Sequence, residues 1–329
     1  MIRPGTRTRI EAAHRFGAFY RGYLASHYPM ALVSLDAMGA DEAALDRFGA
    51  HYLPNLEPIE APVVPIAPGD EAAHLGSPRA FPDWVAYFDA AIAADGIEAV
   101  LARWIDRLLP AVAAGAFHGA IRAAYALEAG SHREMAHALA YWAAAYEALP
   151  ELPAASGHLS CSEVLAAVGR DPAFAGKRPP GRNILERTAA ASRMPQLAAH
   201  VAATDPARLD LDSVALAVIR AYAASGDFTL LHGVTGTHAF RLLAPHASDS
   251  GAALRDLWCA LVAAYVGAGA PRVEGWGLSG ADSLDWPAIH ARALEREDEH
   301  DIKLAYSCWR EWQHRGDDIY RRAASARVS

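Results

Sequence analysis

Neutral imidazole is the commonest metal ligand in proteins, and this chain of 329 residues carries fifteen histidines. Three of them sit where a polar side chain is hard to explain as surface. His27 lies in the apolar stretch YLASHYPMALVSL, His118 in AFHGAIRAAYALE, and His232 in FTLLHGVTGTHAFRLL. Each one alone reads as a core histidine bonded to a carbonyl. Three on separate helices read as a metal site, because helical bundles build such sites from inward-facing polar groups on facing helices. A fourth segment, EDEHDIKLAYSCWREW, places His300 and Lys303 one turn apart on one helical face, just before the sequence turns apolar. On spacing alone that pair also fits the edge of a solvated face. Lys303 stands out for a second reason. The chain has only two lysines, Lys177 and Lys303, among 30 basic residues. Where arginine is the default cation, a lysine is more often kept for its amine.

A rival constellation uses carboxylates. Glu-x-x-His occurs at Glu11/His14, Glu71/His74, Glu134/His137 and Glu297/His300. Two such motifs with two further glutamates would make a di-iron carboxylate bundle. Against it, Glu71/His74 follows a Pro/Gly loop and Glu11/His14 lies in a charged terminal segment.

The elements that must position these residues are helical almost throughout, so the expected fold is all-α. It is a multi-helix, bundle-like domain over 1–329, with a possible junction between two halves near 150–182. Helices are expected over 8–25, 30–38, from the Asp41 cap to 52, then 81–94, 97–109, 110–129 and 131–148. In the C-terminal half they are expected over 183–191, 194–203, 210–224, 227–243, 250–267 and 285–325. Five prolines between Pro54 and Pro68 dictate an extended loop. VVPI at 63–66 is at best an edge strand. Residues 268–284 read as a glycine-rich connection.

Composition removes several function classes. Apolar residues make up 53% and charged ones 21%, enough core to exclude a disordered chain. The net charge, 30 − 38 = −8, argues against a nucleic-acid partner. No run of eighteen uncharged apolar residues suggests a membrane span, and the N-terminus lacks the apolar run of a signal peptide. A cytoplasmic setting is expected. Cys161, Cys259 and Cys308 form neither a disulfide framework nor a zinc knuckle. No strand precedes a GxGxxG, so a nicotinamide or flavin site of the common kind is unsupported. Gly277-Leu278-Ser279-Gly280 only half resembles a nucleophile elbow and reads as a glycine loop.

The histidine segments resemble the questin oxidase-like family, whose members include fungal enzymes that oxidise and open anthraquinone-type polyketide rings. The similarity runs from HYPMALVSLDAMGADEAALDRFGAHYLPNLEPI through AFHGAIRAAYALEAG and DFTLLHGVTGTHAFRLL to EHDIKLAYSCWRE. FHxxIRxxYALE and LLHxVTxxHAxR are its most specific parts. The resemblance implies a mononuclear non-haem iron site held by histidines from separate helices and a carboxylated lysine. Carried over residue by residue, the ligands are His27, His118, His232, His300 and Lys303. His238 matches a further family histidine and stands as an alternative to His232 or as a residue behind it. Six residues apart, the two differ by about 240° around a helix and do not both face one metal. Arg122 and Tyr125 match the FHxxIRxxY segment, and Arg122 is expected to orient His118 or bind an anionic substrate.

The implied cofactors are Fe(II) and carbon dioxide, the latter as a lysine carbamate. The implied partners are dioxygen and an aromatic or quinone-like small molecule. Four imidazoles and one anionic oxygen suit Fe(II) and leave one octahedral position. An electron-rich phenol or hydroquinone would supply electrons without flavin, and NADPH stays open as a co-reductant. Tyr28, Phe117, Tyr125 and Tyr306 neighbour the ligands in sequence and are the expected inner wall of a cavity for a planar ring. The expected function is an iron-dependent oxygenase. The alternatives are a di-iron carboxylate oxidase of ferritin-like type and a non-enzymatic helical small-molecule carrier.

Overall fold

The computed structural model describes residues 2–22, 24–273 and 283–329. Its helices in chain order begin with α1 (Pro4–Ala13), α2 (Tyr28–Ala37), α3 (Glu42–Tyr52), α4 (Glu71–His74), α5 (Phe81–Asp95), α6 (Ile97–Leu108), α7 (His118–Ala129) and α8 (His132–Ala144). They continue with α9 (Cys161–Arg170), α10 (Ile184–Ser192), α11 (Pro195–Ala202), α12 (Leu211–Ser225), α13 (Phe228–Leu243), α14 (Ser250–Gly267), α15 (Trp286–Ala293), α16 (Glu299–Arg315) and α17 (Asp318–Val328). The fold is all-α, and among the described residues the only sheet is the two-stranded hairpin β1 (Phe19–Tyr20) and β2 (Leu24–Ala25).

Small side chains let the inner helices approach closely. The buried positions of α7 include Ala120, Ala123, Ala124, Ala126 and Ala129, and those of α8 include Ala136, Ala138, Ala140, Ala143 and Ala144. With no bulk beyond Cβ, these faces bring backbones together, so polar residues at helix ends can meet. Gly236 on α13 is one such approach: a Cβ there would lie 2.9 Å from the Phe117 side chain. Caps set where the helices start. Asp41, Asp227 and Asp298 each accept a first-turn backbone N–H at the heads of α3, α13 and α16.

Three helix expectations fail for local reasons. The helix expected over 8–25 stops at Ala13, and the hairpin follows, with Arg21 and Gly22 in left-handed backbone at its turn. Aromatic and β-favouring residues around Gly17 and Gly22 override the apolar pattern. The helix expected from 110 begins only at His118. The span 285–325 is three helices, interrupted by the Asp298 cap and again by Gly316 and the Asp317 cap. The span 150–182 contains α9, started by a Ser160–Glu163 capping box. VVPI at 63–66 forms no strand. The half elbow at 277–280 lies outside the described residues.

Candidate metal centre

Helices α2, α7, α13 and α16 pack in a closed ring, each against the next. All four offer their N-terminal ends to one point. His27 immediately precedes α2, His118 is the first residue of α7, and His232 is the fifth of α13. His300 and Lys303 are the second and fifth residues of α16. The imidazole rings are in mutual contact, with centroids 4.3 Å apart for His27–His118, 4.7 Å for His27–His300, 4.9 Å for His118–His232 and 5.1 Å for His232–His300. One nitrogen from each of His27, His118 and His300 falls within 4.8 Å of the others, a spacing that can hold an ion. Lys303 is fully buried, its Nζ 3.2 Å from His27 Nδ1.

Second partners orient these rings. His118 Nδ1 bonds the Gly115 carbonyl, and His232 Nδ1 lies 2.8 Å from the Phe228 carbonyl. A carbonyl only accepts, so Nδ1 carries the proton in both, and Nε2 is left as the lone-pair donor. The Nε2 of His118 is buried and has no hydrogen-bond partner among the described residues. Burial, and then the neighbouring Lys303 and imidazoles, hold His27 and His118 well below the usual histidine range. His232 is lowered in the same way, and His300 is lowered by burial against the opposing pull of Asp298. Burial brings the Lys303 amine down to about 8, although Glu299 and Asp298 pull it up. Four positive helix ends reinforce this preference for neutral imidazole and neutral amine, and they favour any anion placed among them.

The backbone before His118 is unusual. Gly115, Ala116 and Phe117 have φ of 55°, 59° and 66°, three successive left-handed residues. Ala116 and Phe117 each cost about 1–2 kcal/mol there. The tight turn aims the Gly115 carbonyl at the His118 ring. Glycine is required at 115 twice over, since a Cβ would also strike the Tyr141 hydroxyl.

The histidines open onto a cavity of about 480 Å³, a size suited to a drug-sized ligand. Tyr20, Leu24 and Ala25 of the hairpin form one wall, and Ile184 and Leu185 of α10 form another. The aromatic lining is Tyr20, Tyr141 and Phe228. The expected wall residues Tyr28, Phe117, Tyr125 and Tyr306 are buried in the core around it and do not line it. Glu299 was not foreseen. It lines the cavity with Oε1 3.2 Å from His27 Nδ1 and 3.6 Å from His300 Nδ1. An acidic residue in the first turn of a capped helix is the signal that could have found it, had 285–325 been divided at Asp298.

The remaining expected site residues lie elsewhere. His238 points away from the cavity. Its Nδ1 is 3.2 Å from Glu311, and its ring stands edge-on to Tyr125 and Tyr306. Arg122 does not reach His118 or the cavity, because its guanidinium forks onto Glu134 at 2.7 and 3.2 Å. Tyr125 meets Ser307 at 3.2 Å, in the core. The Glu-x-x-His pairs do not assemble into one site. Glu297 faces the half-exposed His51, Glu71 bonds Tyr87, Glu11 is exposed, and Glu134 joins His14 and Arg122.

Fold and site together define a class: an all-α protein in which four helix ends gather histidines and a buried lysine beside a cavity. The questin oxidase-like family model matches residues 24–308, most of the chain, and the protein belongs to that family. Membership implies an oxidoreductase acting on a small molecule. No curated protein matches the chain. Among the described residues, no helix is long and apolar enough to cross a membrane.

Proposed function

We propose that this protein is an iron-dependent oxygenase that uses dioxygen to oxidise, or open the ring of, an aromatic or quinone-like small molecule. One observation carries the reading: four histidines and a buried lysine from four helices meet beside a cavity, with the His118 Nε2 lacking a hydrogen-bond partner among the described residues. The donor set fits the metal. Neutral imidazoles with one anionic oxygen are ligands that Fe(II) accepts. When bound, the iron would supply the one-electron chemistry that ground-state dioxygen requires.

The protein's own residues do the rest. The Gly115 and Phe228 carbonyls fix the tautomers of His118 and His232. The hairpin and Phe228 present apolar surface to the histidine face. Lys303, with its amine near neutrality, is the candidate for carboxylation. Its nitrogen lone pair attacks carbon dioxide, a C–N bond forms, one C=O pair moves onto oxygen, and the nitrogen releases a proton to solvent. The product is an anionic oxygen donor among four positive helix ends. An arginine at 303 would keep a cation but could not form this carbamate.

Elemental analysis of freshly purified protein grown with iron tests the reading, with one metal per chain expected. Two irons per chain would favour a di-iron oxidase, and none would favour a carrier. Zinc or nickel at the same residues would still mark the site, since affinity alone does not select iron. Lys303→Arg should lose metal or turnover, and Lys303→Ala should regain part of both with formate or acetate. Full iron occupancy with full turnover in Lys303→Arg would remove Lys303 from the ligand set.

A further inference from the structure

The cavity holds a cation that no carboxylate of the described residues neutralises. Arg187, in the first turn of α10, is half-buried and lines the cavity, and its Nε is buried with no hydrogen-bond partner among the described residues. Glu299, the one acidic side chain in the same lining, is turned towards His27 and His300. The contrast with Arg122 is direct, since that guanidinium is fully engaged by Glu134. A guanidinium stays charged at any physiological pH. A buried N–H donor left without a partner is costly, and an anion lying against this guanidinium would satisfy it. The N-terminal end of α10, at Asn183 to Leu185, borders the same space and adds its positive potential.

A neutral donor also lines the cavity: Tyr141, which is only 2% exposed. Burial pushes the phenol well above its ordinary pKa, so it is a neutral O–H donor. With Tyr20 and Phe228, the lining offers flat apolar faces, one neutral donor and one permanent cation.

We propose that the ligand of this cavity is a planar aromatic bearing an anionic oxygen, a carboxylate or an ionised phenol, paired with Arg187. The Tyr141 hydroxyl donates a further hydrogen bond to a ligand oxygen. The assignment rests on reading the cavity as the substrate site, and it adds the charge of the substrate to that reading.

Titration calorimetry with three probes tests it: 2-naphthoate, the neutral 2-naphthamide, and a nitronaphthol ionised at the assay pH. Each is run on metal-loaded and metal-free protein. Wild-type should prefer naphthoate to the amide by roughly tenfold or more, with or without metal. Arg187→Met should erase the preference while amide binding stays within about twofold, and Arg187→Lys should keep part of it. Tyr141→Phe should weaken both naphthalene probes and leave their ratio unchanged. If the nitronaphtholate shares the naphthoate preference, charge is what Arg187 reads. If only naphthoate is preferred, the guanidinium fork selects a carboxylate. Equal binding of naphthoate and amide to wild-type, or a preference that survives Arg187→Met, would overturn the proposal. A preference that survives Arg187→Met but needs the metal would place the anion on the metal, overturning the Arg187 assignment while the oxygenase reading stands.

Discussion

Two clusters of buried histidine lie in this protein, and they are finished in opposite ways. At the converging ends of α2, α7, α13 and α16, His27, His118, His232 and His300 stand around a lysine and face a cavity. Between α1, α7 and α8, the His14 and His137 rings meet at a tilt of 30° with centroids 4.5 Å apart, beside Arg122 and Glu134. The second cluster is closed by its own ion pair. Burial alone would raise the Glu134 pKa, but the Arg122 charge and the His14 bond override it and bring it down to about 2. There the carboxylate is consumed by a guanidinium, and the residues line no cavity described in the structure. At the first cluster, the Gly115 and Phe228 carbonyls use Nδ1 of His118 and His232 and leave Nε2 of each as the lone-pair donor. The comparison teaches that an unpartnered buried nitrogen does not by itself mark a ligand site, since His14 Nδ1 and both nitrogens of His137 also lack partners among the described residues; the rings must also gather beside a cavity, as they do at the first cluster.

The largest effect that separates the clusters should come from Glu134→Ala. It strands Arg122 and His14 in the interior, and breaking a buried pair in this way costs about 3–5 kcal/mol. Urea unfolding reads the loss, while metal per folded chain should stay as in wild-type. Loss of metal from folded Glu134→Ala would show that the two clusters are one functional unit.

Acid should come next. His137 is held at about 2 by burial first and then by Arg122, whereas the unfolded imidazole titrates near 6.5. Below about pH 6.5 the unfolded chain takes up a proton that the fold refuses, so stability falls as pH drops. The loss is about 2 kcal/mol for this one group between pH 7 and pH 5. Glu134 stays ionised over that range and opposes nothing. Both ring nitrogens of His137 lack partners, and the ring packs edge-on against Phe81. His137→Phe should therefore flatten the pH dependence of the urea midpoint by that amount. An unchanged slope between pH 7 and 5 would mean His137 is already protonated in the fold.

How much of this was legible in the sequence differs by level. The helical class followed from periodicity, and most helix positions followed from caps and glycines whose effect is local. The four histidine segments were visible because an imidazole in an apolar run is anomalous wherever the chain goes. What could not be read was direction. Arg122 sits one turn from His118, yet it packs against α8, because the first turn of α7 faces the cavity and the next faces Glu134. Tyr28, Phe117, Tyr125 and Tyr306 are neighbours of the site residues in sequence but face away from the cavity. The true wall came from Tyr20 and Leu24 in a hairpin that the apolar pattern disguised as helix, and from Tyr141 and Arg187, distant in sequence from every histidine of the site. Tertiary packing alone brings those residues to one cavity.

The finest comparison lies within one helix. His232 and His238 both sit on α13, both are buried, and sequence left either as the ligand. Geometry separates them by environment. His232 is in ring contact with His118 and His300 and lines the cavity. His238 bonds Glu311, whose carboxylate would be raised by burial but is brought to about 2 by His238 and Arg241. A glutamine at 238 can still donate to Glu311, so His238→Gln should cost about 1 kcal/mol and leave metal content unchanged. His232→Gln swaps an imidazole nitrogen for a weak amide donor and should release most of the metal, with the fold preserved. Elemental analysis of the two desalted variants reads the contrast directly. The reverse outcome, metal kept by His232→Gln and lost by His238→Gln, would move the centre to the Tyr125–Tyr306 side of α13. That side offers Glu311 as an anion, but Arg241 and His238 already engage its carboxylate, so a metal there would have to displace a guanidinium.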